Sequence, residues 1–97
     1  MKNTLRQPQK NCFLIIFEKE GSASVSEITY GEILDKAGDA KYEDFDDACD
    51  IAFKDGNYWL FETTENLINY VEERSHCSSF RDSKIGIAIN NFLENWL

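Results

Sequence analysis

Apolar residues along this chain follow both of the spacings that distinguish strands from helices. Residues 12–17 form a continuous run of apolar side chains, mostly isoleucine and phenylalanine. Such a run predicts a strand buried on both faces. Residues 18–22 contain Gly21 and predict a turn after that strand. A second aromatic and apolar run predicts a strand over residues 57–62, next to an Asp-Gly-Asn turn sequence.

Residues 23–30 fit two different structures. Their alternating apolar positions favour a strand that pairs back on the first one as a hairpin, followed by a short helix over residues 31–37. Ser24 and Glu27 also have the spacing of a capping box, which would begin a helix that Gly38 ends. We prefer the hairpin and keep the helix as the alternative.

Three later segments have apolar residues at the i, i+3, i+4 spacing of one helix face, namely residues 43–54, 65–75 and 82–96. A polar loop over residues 76–81 separates the last two. The predicted inward stripes are Phe45, Ala48, Cys49 and Ala52, then Leu67, Ile68, Tyr70 and Val71, then Ile85, Ala88, Ile89, Phe92 and Trp96. The candidate N-caps are Thr63 or Thr64 for the second helix and Asp82 or Ser83 for the third.

These elements predict an α+β fold, with a small antiparallel sheet of two to three strands packed by three to four helices. A chain of 97 residues is long enough for one independently folding core, so we expect a single domain over residues 1–97. Residues 1–11 are polar and contain Pro8, which predicts a flexible arm.

Acidic residues are concentrated in the middle of the chain. Residues 18–73 hold sixteen acids and four bases, whereas both flanking segments carry net positive charge, and the whole chain is at −8. Five carboxylates fall within residues 43–50 alone. Clustered charge of one sign destabilises a compact fold through self-repulsion, but it attracts basic partners at increased rates. The clustering therefore favours a positively charged partner over a merely solvated helix face, although the solvated face stays an open interpretation.

The acidic face could imitate the phosphates of nucleic acid. Carboxylates at i, i+3 and i+4 lie about 5–6 Å apart on a helix, and duplex DNA presents one charge per about 1.7 Å of its axis. Two acidic helices, over residues 43–54 and 65–75, could thus offer two rows of anionic oxygens to a groove that normally holds DNA. The predicted partner-binding residues are Glu43, Asp44, Asp46, Asp47, Asp50, Asp55, Glu65, Glu72 and Glu73.

Two apolar residues outside the predicted stripes are further contact candidates. Ile87 lies opposite the core stripe of the last helix, and Phe80 lies in the polar loop. Either could anchor an interface, but we expect both to be covered by other parts of the fold.

Metal-binding and catalytic patterns mostly fail in this sequence. A calcium loop starting at Asp44 would need an oxygen ligand at its fifth position and glycine at its sixth, where Ala48 and Cys49 stand instead. His76 and Cys77 are adjacent and lack the chelate spacing that zinc requires. There is no Gly-rich phosphate loop and no nucleophile elbow. We therefore expect neither an enzyme nor a cofactor.

Three cysteines, Cys12, Cys49 and Cys77, are an odd number without paired spacing, which predicts free thiols. No apolar run approaches the ~20 residues of a membrane span, and the polar N-terminus lacks the features of a signal peptide. These patterns favour a cytoplasmic protein.

The whole chain resembles a small phage-encoded anti-CRISPR protein, through its N-terminal Met-Lys-Asn-Thr, the apolar run 12–17 and the block Tyr-Glu-Asp-Phe-Asp-Asp at 42–47. In size and acid distribution it is similar to the DNA-mimicking members directed at the type I-F (Csy) surveillance complex. That group shares no sequence motif, so the resemblance assigns no individual residue. It implies a protein that acts in the cytoplasm of the host bacterium and binds the basic cleft that admits target duplex DNA.

The resemblance further implies partners among the subunits of a basic, nucleic-acid-binding complex, with no direct contact to nucleic acid or membrane, and we expect a monomer. Two other classes remain open. One is an immunity or antitoxin protein that plugs the basic site of a nuclease toxin with the same acidic surface. The other is an acidic domain with no nucleic-acid-binding target.

Overall fold

A computed structural model describes residues 6–97 of the chain, and these residues form an α+β fold as predicted. Within residues 6–97, a three-stranded antiparallel sheet in the order β2-β1-β3 is accompanied by five helices. The elements are β1 (Cys12–Lys19), β2 (Ser22–Thr29), α1 (Tyr30–Ala37), α2 (Phe45–Ala52), β3 (Asn57–Phe61), α3 (Thr64–Arg74), α4 (Ser78–Arg81) and α5 (Lys84–Trp96).

A two-residue turn joins β1 to β2 and confirms the predicted hairpin. Glu20 and Gly21 both have positive φ, 50° and 80°, as a turn compatible with the twist of the two strands requires. The alternative helix beginning at Ser24 is wrong. The capping box lies five residues later, where Thr29 accepts a hydrogen bond from the backbone N–H of Glu32 and begins α1.

The central strand β1 is buried on both faces, as its continuous apolar run predicts. Leu14 and Ile16 belong to one core cluster, which α3 and α5 complete with Leu67 and Ile89. Ile15 belongs to the other cluster, which contains residues of α1 and α2. The molecule therefore has three layers, with α1 and α2 on one face of the sheet and α3 and α5 on the other.

The predicted loop over residues 76–81 is the clearest error in the predicted elements, because its second part forms the one-turn helix α4. The backbone there packs closely against α5. A Cβ atom on Gly86 would lie only 2.2 Å from the carbonyl oxygen of Phe80, so only glycine fits at this crossing. The N-caps are Thr63 for α3 and Ser83 for α5, each one of the two residues predicted for its helix.

Flexibility of the arm over residues 1–11 stays a prediction, and residues 1–5 lie outside the described residues. The described part of the arm contacts the body of the protein. The carbonyl of Arg6 accepts hydrogen bonds from the Trp96 indole, at 2.9 Å, and from the Thr64 hydroxyl. The side chain of Gln7 accepts from the Thr64 backbone N–H at 2.9 Å, so this segment is tied to the beginning of α3.

Candidate acidic interface

Carboxylates at the beginning of α2 stabilise that helix locally. Asp44 is the N-cap, and its side chain accepts a hydrogen bond from the backbone N–H of Asp47 at 2.9 Å. The side chain of Asp47 in turn accepts from the backbone N–H of Glu43 at 3.4 Å. Negative charge in the first helical turn is also favoured by the helix dipole. Part of the acidic cluster therefore has a structural role.

Asp50, one turn further along α2, is held by the neighbouring strand. Its carboxylate accepts a hydrogen bond of 2.6 Å from the hydroxyl of Tyr58 in β3. On the inner side of the helix, Ala48 and Cys49 are buried as predicted. Asp50 thus carries a structural contact in addition to the partner contact predicted for it.

Helix α1 packs beside α2 and adds carboxylates that the sequence pattern did not single out. Together the two helices and their flanking loops form what we call the α1–α2 acidic surface. Residues 30–55 hold nine acids and three lysines, a net charge of −6. The nine exposed carboxylates belong to Glu32, Asp35, Asp39, Glu43, Asp44, Asp46, Asp47, Asp50 and Asp55.

Among the predicted site residues, six lie on the α1–α2 acidic surface and three do not. Glu65, Glu72 and Glu73 are exposed on α3, and α3 packs on the opposite face of the sheet from α2. The two acidic rows predicted on residues 43–54 and 65–75 therefore lie on opposite faces of the sheet and do not form one surface. The structure brings together α1 and α2 instead, and the α3 glutamates face another direction.

Two exposed tyrosines border the acidic surface and were missed by the sequence reasoning. Tyr30 is 44% exposed at the first position of α1, and Tyr42 is 39% exposed in the loop before α2. Tyrosine is enriched among the residues that dominate binding energy at protein interfaces. A signal was present in the sequence, since both residues stand next to predicted turns or helix ends.

The two apolar contact candidates have different outcomes. Phe80 is half-buried, and its ring lies edge-on to Tyr70 with the ring centroids 6.1 Å apart, so the expected coverage is confirmed. Ile87 is 51% exposed on the outer side of α5, and the prediction that it is covered is wrong. The cause is that α5 uses Ile85, Gly86 and Ile89 to contact the core.

The described residues contain no group of three or more His, Cys, Asp or Glu side chains placed to hold a metal ion. Cys12, Cys49 and Cys77 are all free thiols, which confirms the prediction. Burial and nearby glutamates raise the pKa of Cys12, whereas hydrogen bonds from Ser79 and the α4 backbone lower the pKa of the exposed Cys77.

None of the helices within residues 6–97 is long and apolar enough to cross a membrane.

Stability should decrease at alkaline pH because two groups at the inner side of α2, the Cys49 thiol and the Tyr58 hydroxyl, resist deprotonation in the folded protein. Burial, with help from Asp46 and Asp50, raises the pKa of the Cys49 thiol from 9.0 to about 11. Burial and the hydrogen bond to Asp50 also raise the pKa of Tyr58 above its usual value. The unfolded chain loses these protons at lower pH than the folded protein does, so ionisation favours unfolding.

We therefore expect the free energy of unfolding, measured in urea at a series of alkaline pH values, to fall as pH rises from about 9 towards 11. Cys49→Ala should be less stable at every pH but should show a shallower decline. If the free energy of unfolding fell equally steeply in that variant, ionisation of the Cys49 thiol would not be a cause of the decline.

The chain matches no protein-family model, no curated protein and no solved structure. We therefore infer its function from the surface described above and from the resemblance noted in the sequence.

Proposed function

We propose that this protein is a DNA mimic, which inhibits a nucleic-acid-binding protein by placing the α1–α2 acidic surface in its basic DNA-binding cleft. The observation that carries the proposal is the charge of this surface. It holds nine exposed carboxylates and only three lysines, and it accounts for −6 of the net −8. A surface that served solubility alone would intersperse the two signs.

Two physical effects support inhibition by such a surface. A concentrated negative field raises the rate at which the protein meets a positively charged cleft. Contacts to phosphates supply much of the affinity for DNA without reading its sequence, so a protein with suitably spaced carboxylates can compete for the same lysines and arginines. No chemical step is needed, and we propose that the protein is not an enzyme and needs no cofactor.

The resemblance to anti-CRISPR proteins supports a particular target, the type I-F surveillance complex. In this proposal the protein binds the basic subunits where target duplex DNA is admitted, as a monomer in the cytoplasm of the host bacterium. It binds neither nucleic acid nor membrane itself. Charge supports the mode of inhibition, and the resemblance alone supports the choice of complex.

A competition experiment tests the proposal. Purified type I-F surveillance complex is mixed with fluorescent target duplex, and the protein is added at increasing concentration at about 50 mM and about 200 mM salt. We expect displacement of the duplex, with a much weaker effect at the higher salt because opposite charges are screened. Saturating unlabelled duplex should in turn release the protein from the complex.

Binding to the complex without displacement of DNA would contradict mimicry, and no binding at all would contradict the choice of target. Inhibition of a nuclease toxin by the same surface would instead identify the immunity-protein class.

A further inference from the structure

Three stacked aromatic rings connect the core to the edge of the α1–α2 acidic surface. Phe13 in β1 stacks on Phe45 with ring centroids 5.3 Å apart and planes inclined by 23°. Phe45 stacks on Tyr30 at 4.9 Å and 20°. Phe13 and Phe45 are half-buried, whereas Tyr30 is 44% exposed. The rings of Phe13 and Phe45 thus hold the exposed ring of Tyr30 in place.

Residues next to this stack in the sequence carry carboxylates. Phe45 is the first residue of α2 and stands between the N-cap Asp44 and Asp46. Tyr30 is the first residue of α1, and Glu32 in the same helical turn is fixed by the capping box with Thr29. A fixed, exposed ring on a surface of net charge −6 is an arrangement suited to a planar cation.

We propose that Tyr30 is an anchor of this surface that stacks against an arginine side chain of the partner. The proposal rests on the DNA-mimic function and names the chemistry that its partner presents. A guanidinium is planar, weakly hydrated and always charged, so it can lie on an aromatic ring while its N–H groups bind a neighbouring carboxylate. Arginine is also a common residue in sites that hold phosphates.

The two rings stacked behind Tyr30 are the reason why we propose Tyr30, and not Tyr42, as the anchor. A side chain that is already fixed loses little conformational entropy on binding. Tyr42 is similarly exposed, at 39%, but within residues 6–97 its ring stacks on no other aromatic ring, in contrast to Tyr30. Tyr42 is therefore a matched control, an exposed tyrosine of the same acidic surface without the supporting rings.

The first test measures binding of four proteins to the type I-F surveillance complex: wild type, Tyr30→Phe, Tyr30→Leu and Tyr42→Ala. Tyr30→Leu keeps an apolar cover over Phe45 but removes the aromatic face. We expect it to weaken binding at least about tenfold, mainly through faster dissociation, and to do so at both low and high salt. Tyr30→Phe and Tyr42→Ala should each stay within about threefold of wild type. Unchanged circular dichroism and melting temperature would show that the fold is intact.

The second test separates the role of Tyr30 from the choice of target. Octa-arginine and octa-lysine peptides are titrated into the same proteins in a calorimeter. Wild type should bind octa-arginine several times more tightly than octa-lysine, and the difference should disappear in Tyr30→Leu. If wild type shows this preference but does not bind the complex, the proposed target is wrong and the role of Tyr30 stands. If wild type binds the complex and Tyr30→Leu binds equally well, or if the arginine preference persists in that variant, the role of Tyr30 is wrong.

Discussion

Reversing three charges on the α1–α2 acidic surface should weaken binding to a basic target by about a hundredfold at low salt. The variant is Asp35→Lys, Glu43→Lys and Asp46→Lys in one chain. Each position is exposed, and the structure gives none of the three carboxylates a hydrogen bond within residues 6–97. Each reversal replaces an attraction to the partner's bases by a repulsion, and interface charge pairs contribute on the order of 1 kcal/mol or more each.

The choice of positions keeps the helix intact. Asp44 and Asp47 cap α2, and Asp50 accepts the hydrogen bond from Tyr58, so reversing them would mix loss of binding with loss of stability. Asp46 lies in the first turn of α2, where a lysine costs about 0.3–1 kcal/mol against the helix dipole. That cost is small beside the expected loss of binding, and a urea titration would measure it.

A matched control carries the same change of charge on the opposite side of the sheet. Glu72→Lys, Glu73→Lys and Glu94→Lys in one chain also shift the net charge from −8 to −2, but these residues lie on α3 and α5. We expect this variant to bind within about threefold of wild type, because charges more than a Debye length from the interface are largely screened. Equal losses in both variants would mean that total charge matters and that the α1–α2 surface is not the interface.

The same control tests a prediction that the sequence made and the structure does not support. Glu72 and Glu73 belong to the predicted binding set, since α3 and α2 have similar acidic outer faces. Helical periodicity shows which side of a helix faces the core, but it does not show which face of a sheet that helix covers. The apolar run of β1 implied helices on both faces. It did not indicate which helices would share a face, and the two helices predicted to offer acidic rows, α2 and α3, lie on opposite faces.

Elements with a strong local pattern were predictable, and those that depend on packing were not. Gly21 and the alternation in β2 favoured the hairpin over the alternative helix. The one-turn helix α4 could not be predicted, since Ser78–Arg81 is too short to show periodicity and forms where the chain packs against Gly86. The stack of Tyr30 on Phe45 joins two helices whose relative position only the folded core determines, so this part of the candidate interface was also hidden from the sequence.

Replacing Trp96 should destabilise the fold strongly, because this residue links three separate parts of the structure. Trp96 is only 7% exposed. Its indole N–H lies 2.9 Å from the carbonyl oxygen of Arg6 and 3.1 Å from the hydroxyl of Thr64, and its ring stacks on Phe92 at 5.1 Å. It thus links α5, the beginning of α3 and the segment before β1. Trp96→Ala should cost about 3–5 kcal/mol, which in a domain of this size lowers Tm by at least about 12 °C.

Two further variants separate the contributions of Trp96. Trp96→Phe keeps an aromatic ring beside Phe92 but loses the N–H donor, and the Arg6 carbonyl retains the Thr64 hydroxyl as a partner. We expect this variant to lose about 1–2 kcal/mol. Leu97→Ala changes a neighbour that is 63% exposed and should stay within about 0.5 kcal/mol of wild type. If Trp96→Ala were no more costly than Leu97→Ala in urea denaturation, the end of α5 would be frayed in solution and the contacts to Arg6 and Thr64 would not contribute to stability.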